Sequence, residues 1–235
     1  MKRRLSKVLA ENGVATRRAC EEIIDEGRVY INKEKASLSN MMVDVTQDKI
    51  TLDGKIFKIK ENKVYFALHK PKGYLCTSAP EVSRRVVDLI KVEKGIRLFT
   101  VGRLDKDTEG LIILTNDGAF AHKVMHPSFK IEKEYVAKVN CDLTDDHLKT
   151  ISKGAFVQGA FVKPKKVVKV RKGTVKIVVK EGRKREVRHL IERAGVKVID
   201  LKRIRIGGFS LGNLAKGSYF QFGEDDLTKL FGKEV

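Results

Sequence analysis

Along the first 60 residues the apolar positions come in short, regularly spaced groups. Leu5, Val8 and Leu9 keep the spacing of one helix face, and the pattern stops at Asn12-Gly13. Thr16 stands where it would cap a second helix, which carries Ala19, Ile23 and Ile24 and closes at Gly27. From Arg28 to Asn32 the period changes to two, which predicts a strand. Further strands are expected around Ile50 to Leu52 and Ile56 to Ile59, joined by an Asp53-Gly54 turn. Residues 1–60 therefore read as a small domain, a helical hairpin with a few strands. The charged stretch Glu61-Asn62-Lys63 reads as a linker, and the apolar run from Val64 to Leu68 as the first strand of a second domain, residues 64–235.

In that second domain short strands mix with a few helices. Helices are expected after the Asn116-Asp117-Gly118 turn, from near Thr144, and from Arg185 to Ala194. KIEKEYVAKV alternates like a strand. Val167, Val168, Val170, Val175, Ile177 and Val179 alternate with charges, as in strands that hold a charged face above a buried one. Strands at irregular spacing with only occasional helices argue against a βαβ array and for a mixed, mainly antiparallel sheet, class α+β.

Charge changes this picture more than composition does. The chain carries a formal net charge of +19, which predicts attraction to a polyanion. From Lys163 to Arg205 there are 17 Lys or Arg against four acids, so most of the excess sits in one stretch. A second group, Arg3, Arg4, Lys7, Arg17 and Arg18, lies on the first helix and at the start of the second, where free backbone N–H groups also favour phosphates. No apolar run approaches the roughly 18 residues of a membrane span. The N-terminal MKRRLSKVLAENG is spaced for a helix face and not as a signal-peptide core. Cys20, Cys76 and Cys141 are far apart, with no CxxC pair, which fits a reducing cytoplasm.

Several kinds of chemistry are absent as motifs. His122 and His126 have a zinc-like spacing, but position 123 is Lys, no third ligand stands out and His126 precedes Pro127. No GxGxxG, Walker loop or GxSxG elbow occurs. No metal or nucleotide cofactor is expected. What stands out is VGRLDKDTEGLIIL, Val101 to Leu114, where a charged turn with Asp105, Asp107 and Glu109 lies between two apolar segments. Taken alone this is an ordinary loop whose polar side chains satisfy backbone donors.

Its companions give it more weight. RLSKVLAENGVATRRACEEIIDEGRVYINKE resembles the small RNA-binding fold named after ribosomal small-subunit protein four, the S4 fold. GRLDKDTEGLIILTNDG, followed by HPSFKIEKEY, EGRKREVRHL and LKRIRIGGFSLGNLAKG, and preceded by HKPKGYLCT, resembles in order and spacing the ribosomal RNA pseudouridine synthases of the branch with an N-terminal S4-like domain, and most of all the B type among those that act on the large subunit. The resemblance implies a two-domain enzyme that isomerises uridine in ribosomal RNA, or in a pre-ribosomal particle, as a monomer without cofactor. It makes Asp105 the catalytic carboxylate, Tyr135 the active-site aromatic and Arg188 the basic partner of Asp105. Lys70, Arg103, Thr108 and Gly110 would support the pocket, and Asp107 and Glu109 would be turn residues. Arg183 and Arg185 join the candidate RNA contacts. From the residues alone, Arg188 reads equally as a phosphate contact and Tyr135 as a core aromatic. The route at Asp105, covalent or proton transfer, stays open. So does the rival of a non-catalytic RNA-binding or assembly factor. Arg185-Glu186, where small-subunit-specific relatives tend to have His-Gln, leans toward a large-subunit target. Phe220 after Tyr219 departs from the polar residue many relatives carry.

Overall fold

The computed structural model describes residues 2–37, 41–59, 63–93 and 95–231. The chain folds as two compact units. One comprises Met1–Lys63 with Val92–Leu98 and Asn116–Gly118, and the other the remainder. Glu61 and Asn62 of the expected linker lie outside the described residues.

The N-terminal unit runs β1 (Lys2–Arg4), α1 (Leu5–Glu11), α2 (Arg17–Asp25), β2 (Val29–Ile31), β3 (Glu34–Lys35), β4 (Met42–Asp44), β5 (Ile50–Leu52) and β6 (Lys55–Ile56). Thr16 caps α2, its side chain accepting from the Ala19 N–H at 3.1 Å. Leu5, Val8 and Leu9 of α1 and Ile24 of α2 are fully enclosed, together with Val29 and Val43, so the helical periodicity does build the core. Asp53 and Gly54 both take positive φ, the conformation a two-residue hairpin between β5 and β6 requires. The last strand is shorter than the alternation suggested. It ends at Ile56, which is 60% exposed, because no further strand among the described residues covers that edge.

The second unit contains β7 (Tyr65–Lys70), β8 (Phe99–Val101), β9 (Glu109–Thr115), α3 (Gly118–Met125), β10 (Lys133–Val139), α4 (Asp145–Lys153), β11 (Ala155–Val157), β12 (Ala160–Val162), β13 (Lys166–Arg171), β14 (Thr174–Val179), α5 (Glu186–Glu192), β15 (Val198–Ile206), β16 (Phe209–Ser210), β17 (Tyr219–Gln221) and α6 (Glu224–Phe231). Among the described residues these strands form one sheet in the order β13-β14-β10-β15-β9-β7-β17, with β8 beside β9 and β16 beside β15, while β11 and β12 form a separate hairpin. β9 and β15 run parallel and every other pairing of named strands in the sheet is antiparallel. This is the expected mixed, mainly antiparallel class α+β.

The central strands are apolar runs because both their faces are covered. All six residues of β7 are buried, and Leu111 to Leu114 of β9 show no exposure. Burying each such side chain contributes about 1.5–3 kcal/mol. At the margin the alternation misleads. Val175, Ile177 and Val179 of β14 are enclosed, but Val168 and Val170 of β13 are 38% and 52% exposed. The strand lies at the sheet's end, α4 packs against it without covering Val168 and Val170, and the strand's lysines guard that edge.

Candidate active site

The sheet holds one turn with unusual firmness. β8 and β9 pair antiparallel from Phe99 opposite Thr115 to Val101 opposite Ile113, so Gly102 to Thr108 form the loop between them. The loop closes on itself where the Thr108 N–H donates to the Asp105 carbonyl at 3.1 Å. Lys70, at the end of β7, has no exposed surface, and its Nζ donates to the carbonyls of Pro71 (3.1 Å), Asp105 (3.1 Å) and Thr108 (2.8 Å). The Gly73 N–H donates to the Lys106 carbonyl at 2.8 Å. Burial pushes the Lys70 ammonium below the ordinary lysine value, and three aligned carbonyl dipoles compensate in part for its lost hydration. The His69-Lys70-Pro71-Lys72-Gly73 segment thus acts as a clamp beneath the turn.

Gly110 fixes the other end. Its φ is +116°, and a Cβ there would stand 2.2 Å from the Arg203 carbonyl oxygen and 2.6 Å from its nitrogen. It is the residue opposite Arg203 in the parallel pairing of β9 and β15, so only glycine lets the two backbones approach. Arg203 in turn donates from Nε to the Leu111 carbonyl at 2.8 Å.

Beside the turn lies a cleft of about 330 Å³, at the small end of ligand pockets and of a size for one nucleoside. Asp105 and Thr108 line it from the turn, Lys133 and Tyr135 from β10, Arg203 from β15, and Glu186 from α5. Lys133 and Tyr135 share the cleft because residues two apart in a strand point to one face. Tyr135 is 8% exposed. The Asp105 carboxylate accepts no hydrogen bond from any described residue. Burial lowers the Lys133 ammonium to about 8, Arg203 adding to the effect while Glu186 and Glu181 oppose it. Its hydrogen bond goes to the Lys180 carbonyl at 3.3 Å. Burial pushes the Glu186 carboxyl up, although one oxygen accepts from the Arg183 N–H at 2.9 Å.

The structure brings Asp105 and Tyr135 to one cleft, with Arg103, Arg183 and Arg185 also on its walls. Arg188 is placed differently from the expectation. Its guanidinium, 5% exposed, meets the Asp107 carboxylate at 3.0 Å and the Asp107 carbonyl at 3.3 Å, and not Asp105. Arg185 reaches the same carboxylate at 3.5 Å. Arg188 comes from α5 and Arg185 from the left-handed residue that precedes it, so the start of the helix presents both guanidiniums to one carboxylate. Asp107 is therefore the anchor of the turn to α5, more than a turn residue. Glu109 is the first residue of β9 and pairs with Lys216 at 2.6 Å. In the N-terminal unit, Arg3 and Lys7 both pair with Glu11, Arg17 pairs with Glu21 at 3.4 Å, and Arg4 and Arg18 are exposed. Lys133, Glu186 and Arg203 escaped notice as site residues. The period-two pattern of KIEKEY already set Lys133 on the face of Tyr135, but Arg203 and Glu186 come from distant strands and helices.

The rings of His122 on α3 and His126 just past its end lie 4.8 Å apart, and His126 pairs with Ser128. No group of three or more His, Cys, Asp or Glu among the described residues is arranged to hold a metal ion. No helix among them is long and apolar enough to cross a membrane.

Comparison with known proteins agrees with this geometry. Residues 64–193 match the RNA pseudouridylate synthase family model and residues 3–50 the S4 domain. A putative chloroplastic ribosomal large subunit pseudouridine synthase of Arabidopsis thaliana is 43% identical over 97% of this chain, which spans 60% of that relative's length. Ribosomal large subunit pseudouridine synthase B of Bacillus subtilis is 36% identical over 97% of this chain and 95% of its own. A pseudouridylate synthase crystal structure superimposes with a TM-score of 0.70 at 28% identity, covering 96% of this chain and 98% of that one. With a turn, a cleft and an N-terminal domain of these kinds, the chain belongs to the RNA pseudouridine synthases that carry an N-terminal S4 domain.

Proposed function

We propose that the chain converts a specific uridine of large-subunit ribosomal RNA to pseudouridine, with Asp105 as the reacting carboxylate and without a cofactor. The observation that carries this reading is a carboxylate on the cleft wall that no described residue claims, on a turn held by Lys70, Gly110 and Asp107. The names of two relatives, those of Arabidopsis thaliana and Bacillus subtilis, support the large subunit as the target.

The reaction breaks the bond from the base nitrogen to the sugar, turns the base and rejoins it through carbon. The proton lost from that carbon equals the one gained by the nitrogen, so neither redox chemistry nor an external group donor is required. An ionised Asp105 serves either by attacking the anomeric carbon or by taking a sugar proton. Tyr135 packs on the base, and Arg188 acts through Asp107 as a positioning residue. The uridine must first leave its stack, at a cost of a few kcal/mol. Stacking on an aromatic returns about 1–3 kcal/mol. Phosphate contacts supply the rest. We assign them to residues 1–60, through Arg3, Arg4, Lys7, Arg17 and Arg18, and to Arg103, Arg183 and Arg185 of the catalytic domain, residues 64–235. The protein acts as a monomer in the compartment where ribosomes are assembled, the cytoplasm.

The test is Asp105→Asn, nearly isosteric but uncharged. RNA affinity should stay within about twofold while pseudouridine formation is lost. Retained turnover rejects the assignment. Mapping pseudouridine across ribosomal RNA from cells with and without the protein identifies the target. A change confined to small-subunit RNA would overturn the choice of subunit.

A further inference from the structure

A surface feature of the catalytic domain is unused by the reaction. Between Lys153 and Lys163 the sequence repeats itself as GAFV-Q-GAFV. The two copies become β11 and β12, antiparallel, with Ala155 opposite Val162, Phe156 opposite Phe161 and Val157 opposite Ala160. Gln158 and Gly159 make the turn, both at positive φ. Because side chains alternate across a strand, the repeat sorts its residues by face. Ala155, Val157 and Val162 are 5%, 2% and 2% exposed, whereas Phe156 and Phe161 stand outward at 73% and 52%. The two rings meet edge to face with centroids 5.4 Å apart, which leaves ring faces open to solvent.

The hairpin does not need these rings to fold. Its buried face is made by the small and branched residues. An exposed cross-strand pair contributes about 0.2–1 kcal/mol, which β-branched residues also supply. The surroundings say what the rings meet. From Lys153 to Lys166 there are four lysines and no acid. Lys165 pairs with Glu132, while Lys153, Lys163 and Lys166 are exposed and form no ion pair among the described residues. β11 packs against α5, whose first residues wall the catalytic cleft. Open aromatic faces flanked along the chain by lysines are the chemistry that binds single-stranded nucleic acid, bases on the rings and phosphates on the lysines. A base-paired helix offers no free base faces.

We propose that the β11–β12 hairpin is a stacking platform for unpaired bases of single-stranded RNA, an accessory site distinct from the catalytic cleft. The proposal rests on the chain's being an RNA-modifying enzyme and not on the role of Asp105.

The full-length protein provides the test. A single-stranded RNA carrying 5-iodouridine, irradiated in complex with the unaltered protein, should cross-link to the tryptic peptide spanning residues 154–165, and a blunt duplex of the same sequence should not. Phe156→Thr with Phe161→Thr, which keeps strand propensity, should weaken single-strand binding about tenfold and duplex binding less than twofold. Phe156→Tyr with Phe161→Tyr should restore affinity. The rate at saturating substrate should stay unchanged in both variants.

No cross-link to that peptide overturns the platform whether or not the threonine pair alters folding. Equal losses for single strand and duplex overturn it in favour of a purely electrostatic contact. A self-association of the parent, seen by sedimentation and abolished by the threonine pair, overturns it in favour of a second copy of the chain as the occupant. If uridine conversion fails while the cross-link forms, the proposed activity falls and the platform stands.

Discussion

The two sides of the Gly102 to Thr108 turn treat charge in opposite ways. Away from the cleft, one carboxylate and one ammonium are well answered. Asp107 receives two guanidiniums, at 3.0 and 3.5 Å, and the Lys70 ammonium three carbonyls. Toward the cleft, groups of the same kinds are left short. Among the described residues Asp105 accepts no hydrogen bond, Lys133 has one at 3.3 Å, and the Thr108 hydroxyl and one Glu186 oxygen are enclosed without a partner. A group saturated by its own chain holds the backbone in place. One left unsaturated has capacity for a ligand, at a cost to stability. Residue type alone does not separate the two roles, since each side has an aspartate and a lysine.

The sharpest break of that comparison is a pair of identical changes two residues apart. Asp105→Asn should lower the rate of pseudouridine formation by at least about 1000-fold with folding unaltered. Equal effects at both aspartates would dissolve the distinction. Lys70→Met strikes the saturated side directly. It leaves three carbonyls without their donor in the interior and should destabilise the fold by about 3–5 kcal/mol in chemical denaturation. A loss below 1 kcal/mol would mean that the carbonyls find other partners. Asp107→Asn keeps the turn but loosens Arg188, and should reduce the rate about tenfold, because a misplaced reacting group is costly even when present.

Lys133→Met has the smallest and most diagnostic effect. The folded-state value of Lys133 is about 8 against an ordinary 10.5. Between those values the unfolded chain binds a proton that the folded chain does not, so stability rises with pH across the window. Below about 8 both states are charged and the burial penalty is fully felt. The methionine variant should melt higher at pH 7, by about 1–2 kcal/mol after allowance for partial exposure, and should lose the rise above pH 8. An unchanged melting profile would place Lys133 on the saturated side.

Much of this was legible in the chain. Helix faces such as Leu5, Val8 and Leu9, the Thr16 cap and the alternation around Tyr135 depend on near neighbours, and local spacing reports them. The motif around Asp105 and the aromatic at Tyr135 pointed to one site, and the cleft contains both. The choice of partner for Arg188 was not legible, because Asp105 and Asp107 are equally near in sequence and only the packing of α5 selects between them. Nor could Val168 and Val170 be told from buried valines, since the pattern is the same for a strand at the end of a sheet as for one inside it.

Gly110 seats the turn against β15, and the Arg203 side chain reaches Leu111 across 92 residues of sequence. During synthesis, then, the segment bearing Asp105 emerges long before the strand on which it must rest. Pairings so distant along the chain form late. Until β15 has been added, a growing chain has the Asp105 turn without the strand that seats it, and so lacks a finished cleft.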